Sequence, residues 1–313
     1  MSSFRDPNVA TTGEFTLPAP PEGSLDWPWT VTADQSVGVA DTGLWPRITV
    51  VTPSFNQAGF LERTVRSVLL QGYPNLEYII IDGGSTDGSI DIIRKYESRL
   101  AYWVSERDRG QSDAINKGLR KATGDWLAWQ NSDDLYYPGC FFSLARAAAE
   151  HPEAGLVTGD MALIGLDDRC LHVQRYVRPT YGALRAEGMI LTNQAAFWRR
   201  SVHDSIGYVS ESLTCAFDYE WFLRVTEKYS AWHVPEIWGG LRIHETTKST
   251  KLGMLFAAEM EQVRRERPFP KWKIPLYRVR RAMLMLMRGD VRYVAGGVAG
   301  RLRSALTGKS RKI

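Results

Sequence analysis

Residues 126–134 read WLAWQNSDD, an apolar run that ends abruptly in polar and acidic side chains. Trp126–Gln130 has the length and hydrophobicity of a buried strand. The change of character at Asn131 leaves two adjacent carboxylates, Asp133 and Asp134, just beyond the end of that strand. The stretch therefore predicts a buried strand with an acidic loop at its carboxyl end.

Three further strand-like runs precede this one, and helical segments lie between them. The predicted strands are Arg47–Thr52, Leu76–Ile81 and Ala101–Val104, and the predicted helices are Gly59–Gln71, Ser89–Tyr96 and Gln111–Ala122. A β-α-β-α order predicts a parallel sheet with right-handed crossovers, in which ligands bind beyond the carboxyl ends of the strands. We therefore expect a ligand site at the polar residues that follow the strands, which are Thr52-Pro53-Ser54, Asp82-Gly83-Gly84, Ser105-Glu106 and Asn131-Ser132-Asp133-Asp134.

Beyond about residue 155 the alternation is less regular. Short strand-like runs (Gly155–Thr158, Leu171–Tyr176, Ala195–Trp198, Trp232–Val234, Gly239–Ile243) mix with helical stretches at Thr180–Glu187 and Asp218–Lys228. We predict one α/β domain over residues 47–262, divided into halves at 47–138 and 139–262. The Pro-, Gly-, Ser- and Thr-rich residues 1–46 predict an extended arm, which the Trp27-Pro28-Trp29 cluster pins to the domain.

Cysteine usage and hydropathy favour a cytoplasmic protein. Cys140, Cys170 and Cys215 are far apart and lack the spacing of a metal site or a disulfide framework, which favours a reducing compartment. Residues 1–16 have no apolar core of a secretory signal. No run of about 18 apolar residues predicts a membrane-spanning helix.

The net charge of +4 conceals a strong asymmetry along the chain. Residues 263–313 hold 15 Lys and Arg against 2 Asp and Glu, which leaves 24 basic and 33 acidic residues in the rest. This basic tail has two apolar helical segments, Ile274–Arg288 and Val291–Leu306. It could lie peripherally on an anionic membrane, or it could pack on the domain as a helical pair. It contains no recognised nucleic-acid module, so we expect no nucleic-acid partner.

The acidic segment is the first candidate for chemistry. Adjacent carboxylates repel one another, so Asp133 and Asp134 at a strand end invite a cation. Mg²⁺ takes oxygen ligands, usually one or two carboxylates together with substrate phosphates. A solvated turn is the alternative, because Asn-Ser-Asp-Asp also suits a turn.

Residues 82–88 (DGGSTDG) form a second candidate, a glycine-rich loop before a helix. Its backbone amides could approach a phosphate, and Asp82 could accept a hydrogen bond from a base or ribose. The alternative is a tight βα turn with a helix-capping Ser or Thr. The loop lacks the dinucleotide fingerprint of dehydrogenases and the P-loop pattern. A nucleotidyltransferase is also disfavoured, because residues 52–57 (TPSFNQ) lack glycine and a basic residue.

The run ITVVTPSFNQAGFLERTVRSVLLQGYPNLEYIIIDGGSTDGS, followed by SERDRGQSDAINKGLRKATGDWLAWQNSDD, resembles the nucleotide-binding half of the family 2 glycosyltransferases. Four separated motifs occur in the family's order over 48–138, and a weaker match continues to about residue 250. The resemblance implies the GT-A fold, a Rossmann-like α/β fold with a mostly parallel sheet, and transfer with inversion at the sugar. It also implies that 47–138 is the nucleotide-binding half and 139–262 the acceptor half.

The resemblance implies roles for the residues that match its motifs. The predicted donor-binding residues are Thr52, Pro53, Ser54, Asn56, Asp82 (with the base), Arg109, Gln111, Asp113, Asn131 and Ser132. Asp133 would coordinate a divalent cation, Mn²⁺ or Mg²⁺, with Asp134 and His244 as further metal residues. Asn131 stands where many members have an acidic residue, which removes one charge from the site.

Asp218, in the segment FDYEWFLR (217–224), matches the position of the family's catalytic base. Glu220 is the second choice, and an N-cap of the following helix is the alternative role for Asp218. The segment Asn193-Gln194-Ala195 would contribute to the acceptor pocket.

These features predict an inverting glycosyltransferase. The donor would be a nucleotide-diphosphate sugar, with UDP as the first choice, and the acceptor would be a glycan or a lipid-linked sugar in cell-surface polysaccharide or glycolipid synthesis. The alternative is a non-catalytic nucleotide-sugar or carbohydrate-binding protein on the same fold.

Overall fold

The computed structural model describes residues 2–4, 17–22, 24, 26–30, 45–244 and 252–296, with only the backbone described for residues 2–4. The strands are β1 (Ser2–Phe4), β2 (Ile48–Ser54), β3 (Leu76–Asp82), β4 (Tyr102–Ser105), β5 (Trp126–Trp129), β6 (Leu135–Tyr136), β7 (Leu156–Ile164), β8 (Cys170–Gln174), β9 (Ala196–Arg199) and β10 (Ala231–Arg242). The helices are α1 (Ala58–Leu69), α2 (Ser89–Tyr96), α3 (Gln111–Lys121), α4 (Cys140–Glu150), α5 (Tyr181–Glu187), α6 (Ser201–Ile206), α7 (Phe217–Lys228), α8 (Gly253–Glu266) and α9 (Ile274–Met287).

One sheet runs through the domain in the order β1-β4-β3-β2-β5-β9-β7-β10-β6, and β8 pairs with β7 beside this path. Strands β4, β3, β2 and β5 are parallel to one another, as the β-α-β-α order predicts. The register pairs Ser54 with Asp82 and Val51 with Trp129, so the polar ends of these strands share one edge. Helix α3 packs closely on β2. Gly118 permits this approach, since a Cβ at that position would collide with Val51.

The second half of the sheet is mixed. Strand β9 is antiparallel to both β5 and β7, whereas β7 and β10 are parallel. The two separate strands predicted at 232–234 and 239–243 are wrong, because β10 is one strand whose register shifts between His233 and Gly239. Pro235 interrupts the pattern there, since proline has no N–H for the ladder. The irregularity lets Gly239 press against the carbonyl of Gln194, where a Cβ would collide.

The described part of the N-terminal arm is attached to the domain, as the Trp-Pro-Trp cluster predicts. The Arg66 guanidinium donates to the backbone carbonyls of Pro18, Pro28 and Trp29. The Trp27 indole donates to the Tyr136 carbonyl at 2.8 Å.

The basic tail contributes α8 and α9 to the described structure. Residues 291–296 are also helical, and the remainder of the second predicted tail helix lies outside the described residues. One face of α9 packs on α5. Among the described residues, no helix has the length and apolar character needed to cross a membrane.

Candidate active site

A cavity of about 470 Å³ opens at the carboxyl ends of β2 and β5, between the two halves of the domain. Eight of the predicted site residues line it: Pro53, Ser54, Gln111, Asn131, Ser132, Asp133, Asp134 and Asp218. Its far wall comes from residues after 139, with Met189, Thr192, Asn193, Gln194, Thr214, Cys215 and Phe217. The cavity therefore joins the acidic segment to the segment that carries Asp218.

Asp134 belongs to the cavity wall but is almost fully buried. Its Oδ1 accepts a hydrogen bond from the Arg242 backbone N–H at 2.9 Å. Its Oδ2 accepts from the Asn131 and Gln194 amides at 3.0 and 2.7 Å. Burial, with the neighbouring charge of Asp133 as the second cause, raises the pKa of Asp134 to about 7. Three donors thus occupy this carboxylate and fix its orientation.

Asp133 is the more accessible of the two carboxylates. Its side chain is 19% exposed, and its Oδ2 lies 3.1 Å from Nε2 of His244. The His244 ring packs against Phe60, with 4.7 Å between ring centroids. Asp133 and His244 together offer one carboxylate and one imidazole to a cation. No group of three His, Cys, Asp or Glu side chains converges as a metal site within the described ranges.

Arg242 supports this segment, a role that the sequence did not reveal. Besides its backbone bond to Asp134, its Nε donates to the Asp133 carbonyl at 2.8 Å. Its guanidinium is buried and pairs with Asp168 at 2.5 Å. Arg242, the last residue of β10, thus fixes the position of the acidic segment through hydrogen bonds to Asp133 and Asp134.

The predicted base-binding residue Asp82 is fully buried and does not line the cavity. Its carboxylate accepts hydrogen bonds from the backbone of Gly84 and Ser85 and from the hydroxyls of Ser85 and Ser105. Asn56 has a left-handed φ of 51° and accepts from the Thr86 N–H at 2.9 Å. Both side chains hold the glycine-rich loop in shape.

Three other predicted donor residues also lie outside the cavity wall. The Thr52 hydroxyl is buried 3.0 Å from that of Tyr78. Arg109 is largely exposed and bonds Asp113 at 3.0 Å and Glu211 at 2.7 Å. The hydrogen bond from Arg109 is the largest cause that holds the pKa of Asp113 below its usual value.

A chain of amides crosses the cavity floor. The Gln111 amide donates to the Asn131 oxygen at 2.8 Å, and the Asn131 amide donates to Asp134. Gln194 reaches Asp134 from the opposite side. Asn131 therefore connects Gln111 to the buried carboxylate of Asp134 as a neutral donor and acceptor.

Asp218 is the second residue of α7 and faces the cavity. The N-cap position belongs to Ala216, so the alternative role of Asp218 as an N-cap is wrong. Burial raises the pKa of Asp218 to about 6, against a hydrogen bond of 2.7 Å from the Tyr219 N–H. Glu220 pairs instead with Arg224 and Arg267, each at 2.9 Å, and is absent from the cavity wall.

Glu259 on α8 is a second residue that the sequence did not reveal. Its buried carboxylate accepts hydrogen bonds from the backbone N–H groups of Thr214, Cys215 and Ala216, each at 2.8 Å. These groups form the entry into α7, directly before Asp218. A lone glutamate carries no sequence signal for such a contact.

The comparisons with known proteins agree with this geometry. The family model described as glycosyl transferase family 2 matches residues 49–206. An uncharacterized glycosyltransferase of Mycobacterium tuberculosis is 36% identical over 185 residues, which cover 57% of this chain and 68% of that protein. The putative teichuronic acid biosynthesis glycosyltransferase TuaG of Bacillus subtilis is 42% identical over 94 residues, which cover 29% of this chain and 37% of that protein.

Two solved structures share the fold. S. aureus TarS in complex with UDP-GlcNAc has a TM-score of 0.54 and 17% identity, covering 70% of this chain and 71% of its own. The mannosyltransferase PcManGT from Pyrobaculum calidifontis, in complex with GDP-Man and Mn²⁺, has a TM-score of 0.53 and 20% identity, covering 90% and 80%. The predicted GT-A fold is confirmed. Since the family model spans half of the chain and includes the strands that carry the acidic segment, the chain belongs to glycosyl transferase family 2 and is a glycosyltransferase.

Proposed function

We propose that the enzyme transfers a sugar from a nucleotide-diphosphate sugar to an acceptor hydroxyl, with inversion, in cell-surface polysaccharide or glycolipid synthesis. One observation carries this proposal: Asp133 and Asp218 line the same cavity from opposite halves of the domain. The first suits the diphosphate side of a donor, and the second suits an acceptor hydroxyl. A non-catalytic binding protein would not need a carboxylate of raised pKa at this position.

The donor lies along the wall formed by Pro53, Ser54, Gln111, Asn131 and Ser132. UDP is our first choice of nucleotide, supported by the fold shared with a protein that holds UDP-GlcNAc. Thr52, Asn56, Asp82, Arg109 and Asp113 act indirectly, by keeping the loops around the donor in place.

Asp133 and His244 hold a divalent cation, Mn²⁺ or Mg²⁺. The Asp133 Oδ2 and His244 Nε2 atoms lie 3.1 Å apart. One carboxylate and one imidazole at this separation fit a cation site that water and donor phosphates would complete. Such a cation, when bound, offsets the charge of the departing diphosphate. Asp134 lies behind this pair and orients the segment, because three hydrogen-bond donors already occupy its oxygens.

Asp218 is the general base. Its carboxylate takes the proton of the acceptor hydroxyl while that oxygen forms a bond to the anomeric carbon from the side opposite the diphosphate. The bond from the anomeric carbon to the diphosphate oxygen breaks, and the nucleoside diphosphate leaves with the electron pair. A pKa of about 6 keeps the base ionised yet proton-accepting near neutral pH.

The proposed acceptor is a glycan or a lipid-linked sugar, and the enzyme works in the cytoplasm at the inner face of the plasma membrane. Support comes from the basic segment 263–313, whose charge suits contact with an anionic leaflet.

A panel of UDP, GDP and dTDP sugars with Mn²⁺ tests the donor proposal through thermal shifts and donor turnover. We expect one nucleotide class to stabilise the wild type and to be consumed. Asp218→Asn should bind that donor equally and lose turnover, whereas the exposed Asp204→Asn should behave as wild type. Binding of every donor class without turnover would favour the non-catalytic alternative.

A further inference from the structure

Helix α9 has two apolar faces, and only one of them is covered by the domain. The inner face holds Tyr277, Arg281 and the buried Met285. Tyr277 packs so closely on α5 that a Cβ at Gly182 would collide with its hydroxyl. Arg281 forms an ion pair at 3.2 Å with Glu187, which also lies on α5. This face is therefore a packed interface within the chain.

The outer face of α9 carries five exposed apolar side chains: Leu276, Val279, Met283, Leu286 and Met287. Four of them recur at i, i+3, i+7 and i+10, which defines a continuous stripe on the side opposite the inner face. Met283 is 58% and Met287 82% exposed. Apolar surface of this kind marks an interaction site.

The charges carried by α9 and the turn before it are of one sign. Residues 271–288 contain six Lys and Arg and no Asp or Glu. Arg281 and Arg288 pair with Glu187 and Asp160, which leaves Lys271, Lys273, Arg278 and Arg280. Trp272 stands at the start of the helix with 69% of its surface exposed, and the Lys273 ammonium lies 5.4 Å from its ring centroid. Apolar and indole side chains bordered by cations match the boundary between the headgroups and acyl chains of an anionic bilayer.

We propose that the outer face of α9, together with Lys271 and Trp272, is the surface that docks on an anionic lipid bilayer. A second copy of the chain would bring like charges together across this face, whereas anionic headgroups neutralise them. The proposal deepens the membrane contact proposed above and rests on it.

The position of α9 connects this surface to the acceptor side of the cavity. Helix α9 packs on α5, and the chain leaves α5 directly into Met189, Thr192 and Gln194, which line the cavity. One helix layer thus separates the proposed bilayer surface from the wall facing Asp218. A lipid-linked sugar held in the bilayer would approach this wall with its lipid still in the membrane.

Vesicle flotation of the full chain tests the proposal without any sugar transfer. We expect binding to phosphatidylcholine vesicles that contain phosphatidylglycerol and little binding to phosphatidylcholine alone. The triple variant Leu276→Gln, Val279→Gln, Met283→Gln should bind at least about tenfold more weakly. The matched control is Leu166→Gln with Leu171→Gln, two exposed apolar residues of the β7–β8 hairpin that should leave binding unchanged.

Charge reversal provides the second arm. Lys271→Glu with Arg278→Glu should weaken binding by about tenfold, since each basic residue near the surface contributes a factor of several. The exposed pair Arg94→Glu and Arg169→Glu has the same change of net charge and should retain binding. Added salt should weaken the wild type and the triple variant alike.

Equal flotation of the wild type and the triple variant would overturn the proposal, as would binding independent of phosphatidylglycerol. A wild-type dimer that the triple variant converts to a monomer would assign the face to a second copy instead. Thermal unfolding of each variant near the wild-type temperature shows that the fold is intact. Donor turnover is measured separately, so a wild type that turns over the donor but does not float contradicts this proposal and leaves the proposed function intact.

Discussion

The Oδ2 atom of Asp133 lies 3.1 Å from the Nε2 atom of His244, although 111 positions separate the two residues. Strand β10 makes this contact possible, because it ends at Arg242 beside the acidic segment and delivers His244 two residues later. In the proposed cation site the two side chains would act as one ligand pair, so the loss of either should affect cation binding.

We predict that His244→Ala weakens Mn²⁺ binding in the presence of UDP by at least about tenfold, because one ligand of the pair is lost. Titration calorimetry with Mn²⁺ measures the change. His172→Ala, an exposed histidine on β8, is the control and should bind Mn²⁺ as wild type. Unchanged affinity in His244→Ala would remove the histidine from the cation site.

The proposed role of Asp218 as general base leads to a second prediction. Since the pKa of Asp218 is raised to about 6, kcat/KM should rise with pH below about 6 and level off above it. Asp218→Asn should lower kcat by about 10²–10⁴ while the KM for the donor changes little. A pH profile that keeps the same midpoint in this variant would assign the titration to another group.

The same pKa shift predicts an opposite trend in stability. The folded state holds the Asp218 proton more tightly than the unfolded chain, whose value is 3.8, so folding takes up a proton between pH 4 and pH 6. This group's contribution to the free energy of unfolding is therefore largest below that window and falls as pH rises through it. Between pH 4 and pH 6, Tm should therefore fall less or rise more with pH in Asp218→Asn than in the wild type, and an identical slope would contradict the shift.

A further prediction concerns Glu259 and how it positions Asp218 at the start of α7. Glutamine has one acceptor oxygen, so Glu259→Gln leaves at least one backbone N–H at 214–216 unpaired, at a cost of about 1–3 kcal/mol in the free energy of unfolding. We expect a lower kcat, because the entry to α7 shifts, with the pH midpoint retained. Urea unfolding and the pH profile measure the two effects.

Glu261→Gln is the matched control for Glu259, since Glu261 lies on the same helix and pairs with Arg265 in an exposed ion pair at 3.4 Å. It should keep both stability and kcat. A Glu259→Gln enzyme with wild-type kcat would show that the three hydrogen bonds do not position Asp218.

Arg242→Lys should destabilise the fold by about 2–4 kcal/mol, because lysine cannot reproduce the fork that bonds the Asp133 carbonyl and pairs with Asp168. Cation affinity should fall with it, as the acidic segment loses support. Thermal unfolding and Mn²⁺ titration measure both quantities, and the exposed Arg169→Lys should change neither.

The parallel part of the fold could be predicted from sequence because each strand is a continuous buried run between helical stripes. Helix α2 matches its predicted bounds, and β3 ends one residue beyond its own. Strand β10 was not predictable as one element, since Pro235 and its exposed neighbours resemble a loop. Its continuity depends on pairing with β7, which is remote in sequence.

The candidate site divides in the same way. Asp133 and Asp218 could be proposed from local motifs, and both line the cavity. Two of the three hydrogen bonds to the Asp134 carboxylate come from residues 60 and 108 positions away, and no local pattern predicts them. The roles of Glu259 and Arg242 could not be predicted for the same reason. Both side chains bond backbone atoms that are remote in sequence, and no residue type signals such a bond.

The attachment of the N-terminal arm has a consequence for how the enzyme is produced. Arg66 is 2% exposed, and its guanidinium relies on carbonyls from residues 18, 28 and 29. A chain that begins at residue 45 would lack these carbonyls. The buried Arg66 guanidinium would then lose these hydrogen-bond acceptors, at a cost of about 3–5 kcal/mol in the free energy of unfolding. The described arm residues at 17–22 and 26–30 are thus part of the folding unit, and their removal should lower the Tm of the domain.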